Sequence, residues 1–330
     1  MTTLAILGAG SWGTALSIVL APRFEKIRLW TLEPDLAARM QASRINDLFL
    51  PGFTLPANVE ITTRLADSVG GSQIVLGVMP SRFARTVYLE AAPHFDPSMI
   101  FVSATKGLER GTLLRMSQVL AQALPFEGKI AVLSGPTFAR EIACGEPAAV
   151  VIASQDLQVA EQVQLTFSGP TFRLYTNSDT ISVEIGAALK NVIAIAAGVC
   201  SGLGLGSNTH AALVTRGLAE ITRLAVAMGG EAKTMAGLAG LGDLVLTCGG
   251  DLSRNRKVGL ELAKGRRIGE ITGSMRMIAE GVETCDAAVE LGSKFRIDLP
   301  IIQQMHAVLN GSRTPQAAVR ELMDRSLKGE

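Results

Sequence analysis

The arrangement of short apolar runs in the first half of the chain constrains the fold more than any other feature. Most of these runs do not alternate with polar residues, as expected for strands that are buried on both faces. Helix-like segments over residues 14–20, 34–41 and 112–124 lie between several of them. Strands that alternate with helices predict a mostly parallel, doubly wound α/β sheet. The predicted strands are residues 4–7, 27–30, 74–78, 100–103, 130–133, 148–152 and 172–175.

The character of the sequence changes near residue 180, where helical periodicity replaces the strand pattern. We therefore predict two domains, an α/β domain over residues 1–180 and an all-α domain over residues 181–330. Thr314 followed by Pro315 is typical of a helix start, with an N-cap hydroxyl and a proline in the first turn. Helices of the second domain are predicted over residues 207–228, 255–264, 282–292, 300–309 and 315–327.

The overall charge gives no support for binding to nucleic acid or to a membrane surface, because the formal net charge of the 330 residues is only +1. The four cysteines form no CxxC pair and the three histidines show no ligand spacing. We therefore predict no metal site, no disulfide framework and a cytoplasmic protein. Residues 4–21 carry no charge, but the glycines within them favour a strand, a turn and a helix over a membrane span.

The first apolar run leads into a glycine-rich turn. Gly8, Gly10 and Gly13 form a GxGxxG pattern between a predicted strand and a predicted helix. Glycines at these positions allow a tight turn and a close approach of the backbone to a pyrophosphate, which amides at the helix start can bind. The pattern therefore predicts a dinucleotide-binding Rossmann domain. The alternative is a turn whose glycines serve only the packing of the backbone.

The nucleotide preference depends on the end of the second predicted strand. Glu33 lies 20 residues after Gly13, where an acidic residue bonds the ribose hydroxyls of NAD. Glu33 could equally be an exposed acid at the start of a helix. No arginine directly follows this strand, but Arg39 and Arg44 come later and could reach a 2′-phosphate. The residues alone leave NAD and NADP both open.

Lys190 is the only lysine, arginine, aspartate or glutamate between Ile185 and Thr215. An ammonium group in an apolar helix is costly unless another group pairs with it or makes use of it. Gly186 and Ala194 lie four residues from Lys190 on the same helical face, so another backbone or a ligand can approach closely. A functional buried lysine and a lysine that reaches out to solvent both fit this pattern.

Three other segments carry candidate site residues. Lys106 follows a predicted strand and is expected at the carboxyl edge of the sheet, where ligands bind, although most loop lysines are solvated. Asp243 and Thr247 lie four residues apart on one helical face, and Asp243 is either the partner of a buried lysine or an N-cap. Arg254 lies in a Ser-Arg-Asn turn, where its guanidinium could bind a phosphate or belong to a solvated run of charges.

Taken together, and in order along nearly the whole chain, these motifs resemble the bacterial-type NAD(P)-dependent glycerol-3-phosphate dehydrogenases. The resemblance implies an oxidoreductase that interconverts dihydroxyacetone phosphate and sn-glycerol 3-phosphate with NAD or NADP, supplying glycerol 3-phosphate for phospholipid synthesis. It implies a small-molecule substrate and no metal, and it is compatible with a homodimer. The motifs are GAGSWGTAL at Gly8, SATKGLE at Ser103, SGPTFA at Ser134, ALKNVIAIAAG at Ala188, TRGLAE at Thr215, GLAGLGDLVLTC at Gly237, SRNRKVG at Ser253 and AEGVET at Ala279.

The motifs and the resemblance assign roles to individual residues, with Lys190 implied as the proton-transfer residue. The family commonly has an arginine or histidine at the position of Leu32, and its absence weakens the case for NADP while Glu33 favours NAD. The expected substrate-binding residues are Lys106, Gly135, Thr137, Lys190, Asp243, Thr247, Ser253, Arg254 and Asn255. The expected cofactor-binding residues are Gly8, Gly10, Ser11, Trp12, Gly13, Glu33, Lys106, Ala139, Arg254 and Glu280.

Two other functions compete with this interpretation. A related 3-hydroxyacid dehydrogenase also carries a catalytic lysine after a Rossmann domain, but the phosphate-suited turn at Arg254 argues against a carboxylate substrate. A dinucleotide sensor without turnover needs no proton donor, so the position of Lys190 argues against a sensor.

Overall fold

The computed structural model describes residues 2–275 and 279–326. The chain forms two compact units, which we call unit 1 (Met1–Glu109 and Leu114–Glu184) and unit 2 (Arg110–Leu113 and Ile185–Glu330). The assignment of cofactor binding to residues 1–180 and of substrate binding to residues 181–330 stays a prediction.

The strands of unit 1 are β1 (Thr3–Leu7), β2 (Lys26–Trp30), β3 (Val59–Thr62), β4 (Ile74–Gly77), β5 (Ile100–Ser103), β6 (Lys129–Ser134), β7 (Ala148–Ala153) and β8 (Phe172–Asn177). They form one sheet in the order β3-β2-β1-β4-β5-β6-β7-β8. All neighbouring strands run parallel except β6 and β7, which are antiparallel. The predicted fold class, a mostly parallel α/β sheet, is confirmed.

The helices of unit 1 are α1 (Ser11–Val19), α2 (Pro34–Ser43), α3 (Leu65–Val69), α4 (Ser81–Ala91), α5 (Met116–Ala123), α6 (Ala139–Ala143) and α7 (Leu157–Phe167). The prediction that a helix begins at residue 112 was wrong, because helix α5 begins only at Met116. Gly111 and Leu113 have positive φ angles of 83° and 62°, which a right-handed helix does not allow.

Successive residues of β1 are buried on opposite faces of the sheet. Leu4 and Ile6 lie in one hydrophobic core, and Ala5 and Leu7 lie in the other. None of the four is exposed to solvent. A strand that is covered on both faces needs no polar residues, which explains the unbroken apolar runs of the sequence.

Helix α8 (Thr180–Gly202) begins in unit 1 and continues into unit 2. Among the described residues it is the one helix long and apolar enough to cross a membrane, and its apolar window is fully buried. The helix predicted over residues 315–327 ends at Met323, and residues 327–330 lie outside the described part. The other helices of unit 2 are α9 (Ser207–Ala227), α10 (Ala232–Met235), α11 (Asp243–Gly249), α12 (Arg254–Ala263), α13 (Ile268–Ser274), α14 (Glu280–Phe295), α15 (Pro300–Leu309) and α16 (Pro315–Met323).

Glycines bring α8 and α12 into direct backbone contact. A Cβ atom on Gly198 would lie 2.0 Å from the carbonyl oxygen of Arg256, and one on Gly259 would lie 1.9 Å from that of Ile195. A side chain at either position would force the helices apart. This packing holds the helix that carries Lys190 against the helix that begins at the Ser-Arg-Asn turn.

Candidate active site

The glycine turn between β1 and α1 leaves room for a phosphate. Gly8 has a φ angle of 123°, and a Cβ atom on Gly13 would lie only 1.9 Å from the carbonyl oxygen of Gly8. Gly10, the N-cap of the nine-residue helix α1, has no heavy atom within 4 Å of its Cβ position. The first and third glycines are thus required by the backbone, whereas the second faces open space before a helix N-terminus. This arrangement fits a dinucleotide pyrophosphate.

Helix α6 packs against α1 next to this turn, so Ala139, its first residue, belongs to the same region of unit 1. Ser11 donates a hydrogen bond of 2.7 Å to the carbonyl oxygen of Phe49, which fixes a loop beside the helix start. The indole Nε1 of Trp12 is buried and has no hydrogen-bond partner in the described part of the chain. Ser11 and Trp12 therefore lie at the start of α1, and the helix that begins at Ala139 packs against α1.

The end of β2 carries an acid rather than a base. Glu33 is the exposed N-cap of α2 and accepts a hydrogen bond of 2.6 Å from the hydroxyl of Thr31, while Leu32 is 66% exposed. Arg39 is paired with Asp47 at 3.0 Å, and Arg44 donates to the backbone carbonyl of Pro56. Both arginines that could have reached a 2′-phosphate are therefore bound to other groups.

Lys106 joins the loops that follow β5 and β6. Its ammonium group donates to the carbonyl oxygen of Gly135 at 3.1 Å and to the hydroxyl of Thr137 at 3.2 Å. Gly135 has a φ angle of 146°, and a Cβ atom there would lie 2.9 Å from Val150 Cα. The carboxyl edge of the sheet thus brings together three of the predicted substrate-binding residues.

The ammonium group of Lys190 is buried in unit 2, where Lys190 is only 5% exposed. It forms an ion pair with the carboxylate of Asp243 and donates a hydrogen bond of 2.7 Å to the hydroxyl of Thr247. Thr247 in turn donates to the backbone carbonyl of Asp243 at 2.6 Å. Because Gly242 is the N-cap of α11, the Asp243 side chain serves the lysine rather than the helix end.

Small residues make this pairing possible. A Cβ atom on Gly186, one turn before Lys190, would lie 3.0 Å from the carbonyl oxygen of Ala239 and 3.2 Å from Cε of Met235. A larger side chain would hold the glycine-rich segment before α11 away from α8.

Burial raises the pKa of the nearby Cys248 thiol to about 12, with Lys190 acting in the opposite direction. That thiol stays protonated at neutral pH.

The Ser-Arg-Asn turn opens α12. The hydroxyl of Ser253 caps the helix by accepting from the Arg256 amide at 3.2 Å. Arg254, at the first helical position, remains accessible to solvent, although the protein around it partly desolvates its guanidinium. This desolvation lowers the pKa of the guanidinium, and the negative charge of Glu280 acts in the opposite direction. Arg254 and Glu280, both expected near the cofactor, therefore interact within unit 2.

Asn255 connects two neighbouring segments through its side-chain amide. Its amide nitrogen donates to the Asn191 side chain at 2.9 Å, and its oxygen accepts from the Gly281 amide at 2.9 Å. These contacts tie the helices of Lys190, Arg254 and Glu280 together. Sequence reasoning missed Asn191, although it directly follows Lys190 and is the only uncharged polar side chain between residues 185 and 195.

Comparisons with known proteins place this arrangement in a family. Family models for the N-terminus and the C-terminus of NAD-dependent glycerol-3-phosphate dehydrogenase match residues 3–160 and 179–320. A glycerol-3-phosphate dehydrogenase [NAD(P)+] of Koribacter versatilis is 54% identical over 329 residues, which are 98% of each chain. That of Geobacter metallireducens is 51% identical over 99% of this chain and 98% of its own.

Solved structures agree with this placement. The crystal structure of glycerol-3-phosphate dehydrogenase from Coxiella burnetii superposes with a TM-score of 0.93 at 41% identity, covering 98% of this chain and 99% of the other. Within the described residues, no group of three or more His, Cys, Asp or Glu side chains could hold a metal ion. The chain belongs to the NAD-dependent glycerol-3-phosphate dehydrogenase family.

Proposed function

We propose that Lys190 is the acid–base residue with which this enzyme interconverts dihydroxyacetone phosphate and sn-glycerol 3-phosphate. The chain is an oxidoreductase of its family and uses NAD or NADP. The observation that carries the proposal is the buried ion pair between Lys190 and Asp243. An ammonium group placed in an apolar helix, with a carboxylate and a hydroxyl holding it, is suited to deliver a proton in a fixed direction.

The reduction needs one hydride and one proton. The reduced nicotinamide supplies the hydride to the C2 carbonyl carbon when it is bound. Lys190 gives a proton from Nζ to the carbonyl oxygen, so that the N–H bond breaks as the O–H bond of the alcohol forms. In the oxidation of glycerol 3-phosphate, the neutral amine takes that proton back. Asp243 and Thr247 keep Nζ in position through both directions.

We assign Lys106 an electrostatic role in the reaction. A positive group near a developing oxyanion stabilises the transition state more than the uncharged ketone. Gly135 and Thr137 hold the Lys106 ammonium at the carboxyl edge of the sheet. We assign all three residues to substrate binding.

The phosphate of the substrate binds at the start of α12. The guanidinium of Arg254 offers two parallel N–H donors, and the N-terminus of this ten-residue helix adds positive potential. The hydroxyl of Ser253 and the second amide proton of Asn255 remain able to donate to a ligand. Holding the phosphate positions the carbonyl, so this remote contact contributes to the rate.

The glycine turn holds the pyrophosphate of the nucleotide, with Ser11, Trp12 and Ala139 as further contacts. Exposed Leu32 offers no charge to a 2′-phosphate, and Glu33 repels one. We therefore expect NADH to be used at least as well as NADPH. A kcat/KM that is about tenfold or more higher for NADPH, measured at one ionic strength, would contradict this assignment.

We propose a cytoplasmic setting, on the grounds of the cysteine chemistry and the family. Cysteines 144, 200, 248 and 285 are all unpaired, which is consistent with the reducing cytoplasm. There the enzyme would supply glycerol 3-phosphate for phospholipid synthesis. We also propose that the protein is a homodimer. Analytical sedimentation, which gives the mass of the protein in solution, tests this proposal.

The test of the function is the loss of NADH absorbance when dihydroxyacetone phosphate is added to the purified protein. Unphosphorylated dihydroxyacetone should react far more slowly, because it lacks the group that Arg254 binds. Turnover of 3-hydroxyacids or their keto forms instead would establish the hydroxyacid alternative. Nucleotide binding without any turnover would establish a sensor.

A further inference from the structure

The loop that carries Lys106, residues 104–115, has little regular structure of its own. It connects β5 to α5, and its Leu108 and Arg115 form an isolated bridge. Gly107, which directly follows the lysine, has a φ angle of 149°. Glycine has no strong conformational preference, so the residue after Lys106 does not fix the direction of the loop. The loop conformation must therefore come from contacts on both sides of the lysine.

Contacts on both sides are present within unit 1. Before the lysine, the hydroxyl of Thr105 donates to the carbonyl oxygen of Met79 at 2.9 Å. After it, Glu109 receives two parallel hydrogen bonds from Arg85, Nε to Oε1 at 2.7 Å and Nη2 to Oε2 at 2.8 Å. The amide of Glu109 also donates to the carbonyl oxygen of Leu114 at 2.9 Å.

The Arg85–Glu109 pair is bidentate. Two parallel bonds define the orientation of both side chains, which a single contact does not. Nη2 of Arg85 also donates to Gln122 at 2.9 Å, and the hydrogen bonds to Glu109 raise the pKa of the guanidinium. The Glu109 side chain is only 15% exposed, so solvent competes little for its carboxylate.

Helix α4 gives Arg85 a rigid base. Tyr88, one turn further along the helix, is 1% exposed. Its hydroxyl packs so closely on Gly77 that a Cβ atom on this glycine would lie only 2.0 Å from it. Gly77 pairs with Ser103 in the sheet, at the residue before the loop begins. Tyr88 thus packs α4 against β4, the strand beside β5, after which the loop begins. Through Arg85, the same helix also holds the part of the loop that follows Lys106.

We propose that Arg85 is a positioning residue for Lys106. Through Glu109 it fixes the far side of the loop, so that the lysine ammonium is held at Gly135 and Thr137, where its charge stabilises the transition state. This inference rests on the proposed role of Lys106 in the reaction. Because that role is in the transition state, the loss of Arg85 should lower kcat and leave nucleotide affinity unchanged.

The test compares Arg85→Gln with Arg313→Gln. Arg313 is a matched control, since its side chain is 33% exposed against 32% for Arg85, and it also pairs with a glutamate, Glu321 at 2.7 Å. A small displacement of a charged group costs catalysis steeply, so we expect kcat to fall about tenfold in Arg85→Gln. The control should stay within about twofold, as for an ordinary surface ion pair. Arg85→Lys should lie between, because it keeps the charge and loses the fork.

A double mutant separates positioning from stability. If Arg85 acts through Lys106, adding Arg85→Gln to Lys106→Gln should lower kcat by less than about twofold further. A full, additive tenfold loss in that background would overturn the inference. A wild-type kcat in Arg85→Gln, while Lys106→Gln is impaired, would overturn it and leave the proposed function intact. An unimpaired Lys106→Gln would overturn both. Should Arg85→Gln fail to fold, Glu109→Gln tests the same pair with a nearly isosteric change.

Discussion

The candidate site residues of unit 1 and unit 2 are held in different ways. In unit 1 the glycine turn offers backbone groups to a ligand, and Lys106 donates hydrogen bonds to a carbonyl oxygen and a hydroxyl. In unit 2 Lys190 sits inside a helix core and is bound by a carboxylate. The two kinds of contact differ in strength, since removing the carboxylate beside a buried ammonium costs more than removing one neutral hydrogen-bond partner of a partly exposed ammonium. We therefore expect unit 1 to tolerate the loss of the Thr137 hydroxyl better than unit 2 tolerates the loss of the Asp243 charge.

The largest effect should come from breaking the buried pair. Asp243→Asn leaves the Lys190 ammonium buried without its counter-charge, so we expect the free energy of unfolding to fall by about 3–5 kcal/mol. Thr137→Ala removes a neutral partner of Lys106 and should cost about 1 kcal/mol or less. Urea unfolding of both variants makes the comparison. Equal losses would show that burial does not distinguish the two lysines.

The next effect concerns Arg254 of unit 2, whose guanidinium we expect to pair with the substrate phosphate away from water. Arg254→Ala should lower kcat/KM for dihydroxyacetone phosphate by roughly 2–4 kcal/mol of transition-state stabilisation, as when one partner of a desolvated charge pair is removed. Arg254→Lys should lose less, because it keeps the charge without the fork. Steady-state kinetics on unphosphorylated dihydroxyacetone provide the control, and an equal loss on both substrates would assign Arg254 to the cofactor or the fold.

The smallest effect is expected at the backbone site of unit 1. Gly10→Val fills the open space before α1 and should weaken nucleotide binding about tenfold or more, near 1.4 kcal/mol, without unfolding the protein. Gly169→Val is a matched control in unit 1, because its Cβ position is also free of neighbours within 4 Å. Calorimetric titration with NADH would contradict the assignment if both variants bound like the wild type.

The sequence predicted the features of unit 1 that depend on hydrophobic pattern. All seven predicted strands lie in the sheet. In β1 and β4, burial on both faces leaves an almost unbroken apolar run. Strand β3, at the sheet edge, was missed because only two of its four residues, Val59 and Ile61, are apolar. In unit 2, the partner of Lys190 could be anticipated from the spacing of Asp243 and Thr247 on one helical face.

The remaining contacts could not be read from one sequence. Asn191 and Asn255 are 64 residues apart, and no local pattern reports which distant amide a buried asparagine will meet. Arg85 lies on an amphipathic helix three residues after Arg82, and nothing in the sequence distinguishes the arginine that binds Glu109 from its neighbour. Such pairs depend on how strands and loops are arranged in space, which the hydrophobic period does not encode.

The most direct test of the central claim is a single-turnover measurement on Lys190→Met. Methionine replaces lysine with an unbranched apolar side chain of similar length and removes the proton donor. With the enzyme in excess over NADH, and with dihydroxyacetone phosphate at a saturating concentration, we expect the rate of NADH oxidation to fall by a factor of about 100 or more, the lower range for loss of an acid–base group. The affinity for NADH, measured on the same preparation, should be unchanged. A rate within about threefold of the wild type would contradict the assignment of proton transfer to Lys190.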